Sequence, residues 1–259
     1  MCGRYTHLYT WAEIRELYLL TTWPQQDELS LNYNVPPTLS VPVVRERGGE
    51  RRGDMLRWGL VPYFAKGIPP KYSTINATVE RIVEGASWRG PWKRGQRCIL
   101  PASGFYEWHV NEDGSKTPFY ITCVDQPIFG FAGLWDASND ANGGTLESCT
   151  IITMPPNPLM AQIHNVRQRM PAILDRAATE AWLAGTTQEA WEALKPYPAE
   201  DMVAWEVSRL ANSPKNNHAG LIQPVRQASS AVPQPTAKTD DGQPSLDLPL
   251  LDPGEPIVE

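Results

Sequence analysis

RCILPASGFYEWHVNEDGSKTPFYITC, residues 97–123, decides the fold class. RCIL (97–100), GFYEWHV (104–110) and PFYITC (118–123) are short runs rich in aromatic and β-branched residues, the composition of strands. Asp113-Gly114, between the second and third, suits the left-handed backbone of a tight hairpin turn. Outward from this hairpin the same pattern recurs in SVPVV (40–44), PIFGFAGLW (127–135), CTIITM (149–154) and MVAWEVS (202–208). Helical signals are fewer. Thr10 and Glu13 form a T-x-x-E capping box for a helix over 10–20, with Trp11, Ile14, Leu17 and Tyr18 on one face. NPLMAQIH (157–164) reads as a short helix, and Thr179–Ala184 and Thr187–Leu194 as two more, each led by a threonine cap. Strands outnumber helices and do not alternate with them. That predicts an α+β fold with a largely antiparallel, barrel-like sheet rather than a doubly wound one.

One domain of residues 2–224 followed by a tail of 225–259 fits the chain of 259 residues. The tail is rich in Pro, Ser, Gln, Thr and Asp and shows no periodicity, so it reads as disordered. Its two basic and six acidic residues give it a charge of −4, which leaves −2 of the chain's −6 for the domain. A near-neutral domain can still carry a local basic groove, although composition does not reveal one. With no run of 18 apolar residues and no basic start leading into an apolar stretch, neither a membrane span nor a signal peptide is expected. Cys98, Cys123 and Cys149 lie in strand-like apolar runs and read as buried free thiols in a reducing cytoplasm. No C-x-x-C spacing suggests a metal, and neither a metal nor a cofactor is expected.

Cys2 stands apart. Aminopeptidases remove Met1 before a small residue, leaving a cysteine with amine and thiol on adjacent carbons. An α-amine has a pKa of roughly 7.7–8.0, so much of it is a neutral nucleophile near pH 7. It can condense with an aldehyde to an imine, on which the thiol closes a thiazolidine ring. On the dipeptide alone, a chance cysteine in a loose terminus is the better account. Four other segments are equally ambiguous alone. Trp58, Tyr63 and Phe64 in RWGLVPYF can stack on unpaired bases or wedge into a base step, or simply line a core edge. Asn76 can orient a reacting group or cap a helix over Thr78–Val83. Glu107, a carboxylate among aromatics, can have a raised pKa and transfer protons, or face solvent in a salt bridge. His164 can be an acid or base or a structural histidine, and Arg167 and Arg169 after it add phosphate-binding potential.

Together these segments are similar to one family. MCGRY at the start, Tyr33-Asn34-Val35-Pro36-Pro37, WGLVP, Ile75-Asn76-Ala77, RCILPASGFYEW, FAGLW (131–135), IH…RMP and VSRLANSPKN (207–216) follow the order seen in SOS-response-associated peptidases, the abasic-site-processing proteins. The resemblance spans residues 2–224. It implies an α+β domain with a barrel-like core, flanking helices and a positive groove for single-stranded DNA. It implies a cytoplasmic monomer, associated with the nucleoid and replication forks, that forms a thiazolidine crosslink to an abasic sugar with lyase-like chemistry. The family's name adds peptidase activity, of which removal of Met1 by the chain itself would be one form. Carried over by position, Cys2 is the nucleophile, Asn76 and Glu107 assist at amine and imine, and His164 handles the sugar's ring-opening proton. Arg4, Arg169 and Arg209 would hold DNA, and Trp58, Tyr63 and Phe64 supply aromatic contacts.

Three departures stand out. Many members have Arg where this chain has Thr78, and Arg81 is the candidate replacement. Several read IHDRMP, where this chain has a loop lengthened by Asn165–Gln168. Position 63 is Tyr rather than a small residue. Rival readings remain: a class II glutamine amidotransferase, which also starts Met-Cys-Gly but tends to continue with Ile rather than Arg4; a DNA-binding module that forms no bond; and a peptidase. In the tail, QPSLDLPL (243–250) resembles peptides that dock on sliding clamps.

Overall fold

The structure, a computed structural model, describes residues 2–25 and 28–225. The expected tail, with its clamp-like peptide, lies outside the described residues apart from Val225. The strands are β1 (Tyr5–His7), β2 (Asn32–Val35), β3 (Ser40–Arg47), β4 (Glu50–Trp58), β5 (Asn76–Thr78), β6 (Arg97–Ala102), β7 (Gly104–Val110), β8 (Lys116–Cys123), β9 (Phe129–Asn139), β10 (Thr145–Met154), β11 (Met170–Pro171), β12 (Ile173–Leu174) and β13 (Met202–Glu206). The helices are α1 (Trp11–Tyr18), α2 (Arg89–Lys93), α3 (Pro158–Ile163), α4 (Arg176–Ala184) and α5 (Thr187–Glu192).

β10, β4, β3, β6 and β9 pair in that order, and β9 pairs back to β10, so five strands close a barrel. Closure removes the unpaired edges of an open sheet. β5 and β11 extend the ladder of β10, and β12 adds to β9. The ladders are antiparallel except β4–β10 and β5–β10, which are parallel. A second, wholly antiparallel sheet runs β13-β8-β7-β1-β2.

An aromatic layer that includes Tyr5, Trp58, Phe105, Phe129 and Phe131 joins the sheet to the barrel through edge-to-face contacts. Such pairs favour this geometry because a ring's positive edge meets its neighbour's negative face. Strand alternation does the rest. Phe105 and Glu107 share the face of β7 turned to this core, while Tyr106 and Trp108 face a smaller cluster with Tyr120, Val207 and Ala211. The β6–β7 corner needs Gly104, since a Cβ there would meet the Tyr120 hydroxyl at 2.2 Å, and that hydroxyl is bonded to Thr6 Oγ1.

Local signals placed most elements. The capping box at Thr10 and Glu13 holds α1, and the 113–114 turn joins β7 to β8, with Gly114 at φ +79°. Two expectations change. α4 starts at Arg176 under an Asp175 cap, whose side chain accepts from Ala178 N–H, rather than at a threonine. α5 is capped by Thr186, as a threonine cap predicts. The helix expected over Thr78–Val83 shrinks to a 3-10 turn, Val79–Arg81, because residues 76–78 are drawn into pairing with β10.

Candidate active site

Cys2 is wholly buried three residues before β1, its Sγ 3.8 Å from the Arg4 carbonyl oxygen. Asn76, at the start of β5, donates from Nδ2 to the Cys2 carbonyl oxygen at 2.7 Å. Asn76 therefore holds the Cys2 backbone, and Thr78 rather than Asn76 stands at the cap of the 3-10 turn that follows. The Asn76 Oδ1 is buried with no partner among the described residues, a costly state that a bound donor would relieve. Glu107 sits close enough that its charge, after burial itself, helps push the Cys2 thiol far above its ordinary range. Parallel pairing of β5 on β10 thus brings Asn76 to Cys2, and alternation along β7 brings Glu107 inward.

Burial pushes the Glu107 carboxyl up to about 7, and nearby positive charge, Arg167 included, offsets only part of that. His164 ends α3, with Nε2 3.8 Å from Glu107 Oε2. Burial lowers its pKa below the ordinary imidazole value, with Arg167 contributing in the same direction. Its Nδ1 lies 2.8 Å from the Arg169 carbonyl oxygen. A carbonyl only accepts, so Nδ1 carries the hydrogen and the neutral ring turns the lone pair of Nε2 toward Glu107. Glu107 and His164 open into a cleft of about 610 Å³, also lined by Trp108, Val110, Lys116, Val166, Arg167 and Asn212.

The four expected reacting residues therefore converge, but the expected DNA contacts divide. Trp58 does not face solvent: it is fully buried against Tyr5, its Nε1–H bonded to the Ile75 carbonyl oxygen, so the expectation that it meets DNA is corrected. Tyr63 and Phe64 are 58% and 47% exposed on a 3-10 turn and pack edge to face at 5.5 Å. Arg4 is half-buried and bonded to Asn34 Oδ1 at 2.7 Å. Arg169 forms a two-pronged ion pair with Glu80 at 2.7 and 3.0 Å and also bonds the Thr153 carbonyl oxygen, so its guanidinium is committed within the protein. Arg81 is exposed beside the Trp88 ring, and Arg209 is exposed on the turn that carries Asn212. Neither lines the cleft. Arg167 and Lys116 do, and sequence singled out only the first of these two, without preferring it to Arg169. Lys116 looks like any polar residue at the start of a strand; only the hairpin register brings it to the cleft.

Residues 1–214 match the family described as SOS response associated peptidase (SRAP). Abasic site processing protein YoqW of Bacillus subtilis is 39% identical over 226 residues, covering 86% of this chain and 99% of that protein. Abasic site processing protein HMCES of Pongo abelii is 30% identical over 273 residues, covering 87% of this chain and 76% of that protein. A crystal structure of a Bacteroides thetaiotaomicron protein is similar at a TM-score of 0.77 and 28% identity, covering 87% of this chain and 100% of that one.

Proposed function

The chain belongs to the SOS response associated peptidase family, and we propose that it processes abasic sites in single-stranded DNA by joining Cys2 to the ring-opened sugar as a thiazolidine. The observation that carries this reading is the buried group of Cys2, Asn76 and Glu107. A terminal aminothiol is held by its own carbonyl beside a carboxyl whose pKa lies near neutrality. The α-amine, free once Met1 is gone, adds to the aldehyde carbon, and loss of one water gives an imine. Sulfur then bonds that carbon, its proton passes to nitrogen, and the five-membered ring closes. One water is lost overall and nothing is oxidised.

Each side chain has a task its geometry supports. Asn76 fixes the residue 2 carbonyl and offers Oδ1 to an N–H of the amine or imine. Glu107, with a pKa of about 7, takes the proton of the attacking amine and returns it to the departing hydroxyl; a carboxyl at its ordinary value would be a poor acid for the second task. Neutral His164 presents a lone pair at Nε2, which suits removal of the anomeric hydroxyl proton as the closed sugar opens. Sequence alone suggested the opposite direction, an imidazole that protonates the sugar ring oxygen; the hydrogen placed on Nδ1 by the Arg169 carbonyl favours the base role instead.

Mixing the mature chain with single-stranded DNA bearing one abasic site should give a species that survives denaturing electrophoresis. Its intact mass should be that of protein plus oligonucleotide less one water, and the same spectrum reads loss of Met1. Cys2→Ala should give none. No adduct from the wild type, or undiminished yield from Cys2→Ala, overturns the reading.

A further inference from the structure

Two cations on the cleft wall, Arg167 and Lys116, have no part in the chemistry above. Arg167 lies on the loop of residues 164–169 that follows α3. It is exposed and makes no hydrogen bond or ion pair among the described residues. Lys116 is likewise exposed and makes no side-chain bond among them.

The loop that carries Arg167 is fixed. Asn165 accepts from Val110 N–H at 3.0 Å and donates to the Val110 carbonyl oxygen at 2.9 Å, so it binds the edge of β7 as a strand would. Gln168, at φ +51°, donates from Nε2 to the carbonyl oxygens of Ala161 and Asn165 and from its backbone to that of His164. Val110 is also the residue that Lys116 faces across the hairpin, so both cations are placed from one rung of the sheet. An unbonded guanidinium on a pinned loop is a ready binding group, because little ordering remains to be done when a ligand arrives. Its position beside the reacting groups shows in the downward pull its charge exerts on both Glu107 and His164.

Two other arginines near this site are committed. Arg169 is held by Glu80 and Thr153, and Arg4 by Asn34 and the Ala211 carbonyl oxygen. Recruiting either would break bonds the fold already uses. A DNA strand whose abasic sugar reaches Glu107 and His164 must lay its flanking phosphodiesters over the cleft wall. Guanidinium is the side chain best matched to phosphate oxygens.

We propose that Arg167, with Lys116, grips the backbone phosphates that flank the abasic sugar. This rests on the function proposed above and assigns the strand-holding task to the lengthened loop rather than to Arg169.

The test uses the full-length chain and a single-stranded oligonucleotide carrying a tetrahydrofuran abasic analogue, which has no aldehyde and so reports binding without bond formation. Arg167→Gln should weaken binding about tenfold at low salt and reduce the slope of log affinity against log salt by about 0.7; adding Lys116→Gln should double the loss of slope. Arg167→Lys should keep most of the slope. Arg176→Gln on α4 removes the same charge over the barrel and should leave the slope unchanged, which separates a contact from the general field. Because Arg167 makes no bond among the described residues, the thermal midpoint of the Arg167→Gln variant should match the wild type's. If Arg167→Gln leaves affinity and slope intact while the wild type still crosslinks to a true abasic site, this assignment fails and the proposed function stands. If the wild type forms no adduct, the proposed function fails first.

Discussion

Arg45 and Glu107 are almost equally buried, at 1% and 2% exposure, and they are built for opposite ends. Arg45, on β3, donates from Nε to Asp54 at 2.7 Å and from both terminal nitrogens to Glu147 at 3.2 and 2.8 Å, with its guanidinium 4.1 Å from the Trp135 ring. Burial lowers its pKa, and the bonds to Glu147 and Asp54 more than reverse this, so it stays raised and the charge is permanent. Glu107 is pushed by burial to about 7, and the positive charge around it does not restore the ordinary value. The barrel's charge is locked in one state, whereas the cleft's carboxyl is poised between two. A titratable group can move protons at neutral pH only if the fold leaves it there.

The sharpest way to break this contrast is kinetic. Glu107→Gln and His164→Ala should each slow crosslinking by about 10²–10⁴-fold while DNA is still bound, as loss of one acid–base group does. With a freely accessible small aldehyde, which needs no ring opening, His164→Ala should approach the wild-type rate and Glu107→Gln should stay slow. Equal recovery of both, or of neither, removes the division of labour. Wild-type rate should also rise with pH through about 7, and that inflection should vanish in Glu107→Gln.

Next in size is stability at the barrel. Arg45→Met leaves Asp54 and Glu147 without their shared buried cation and should cost about 3–5 kcal/mol in urea unfolding, while the crosslinking rate per folded molecule stays unchanged. A lower rate would mean the two regions are coupled.

A smaller effect has the opposite sign. The Glu107 pKa is raised on folding from the ordinary 4.5 to about 7. Its contribution to stability is therefore fully present below about pH 4.5 and is lost as pH rises through about 7. Glu107→Gln should match the wild type in stability at low pH and exceed it by up to about 3 kcal/mol at pH 8. Equal stabilities at both pH values would show that Glu107 is not held at a cost.

The smallest change is expected at the Arg169–Glu80 pair, where Glu80 is largely exposed and Arg169 holds its carboxyl down to about 2. Glu80→Gln should shift stability by less than about 1 kcal/mol, since solvent screens such pairs.

Legibility followed the range of the interaction concerned. The hairpin of 104–123, the α1 capping box and the short helix after Asn157 are set by neighbours a few residues away, and they are present in the fold. β4 went unread because ERRGDMLRW lacks the apolar alternation of a strand; its Arg51 is paired with Glu46 on β3 and Glu180 on α4. β1 and β2, of three and four residues, carry too little pattern to stand out. Trp58 and Tyr63 are aromatic residues five apart in one segment, yet the first ends a barrel strand facing inward and the second lies on an exposed turn. Residue type alone does not say which side of a strand faces the core.

Sequence by itself determined the α+β class, the run of strands and turns, and the position of Cys2 directly after Met1, because these depend on local backbone preference and covalent structure. Tertiary structure alone decided that Asn76 holds the Cys2 carbonyl, that Glu107 titrates near neutrality, that Arg169 is spent on Glu80, and that Arg167 lines the cleft. Those outcomes depend on desolvation and on which distant groups the barrel and its flanking sheet bring together. A charge's state is set by its surroundings in space, and neighbours in sequence do not fix them.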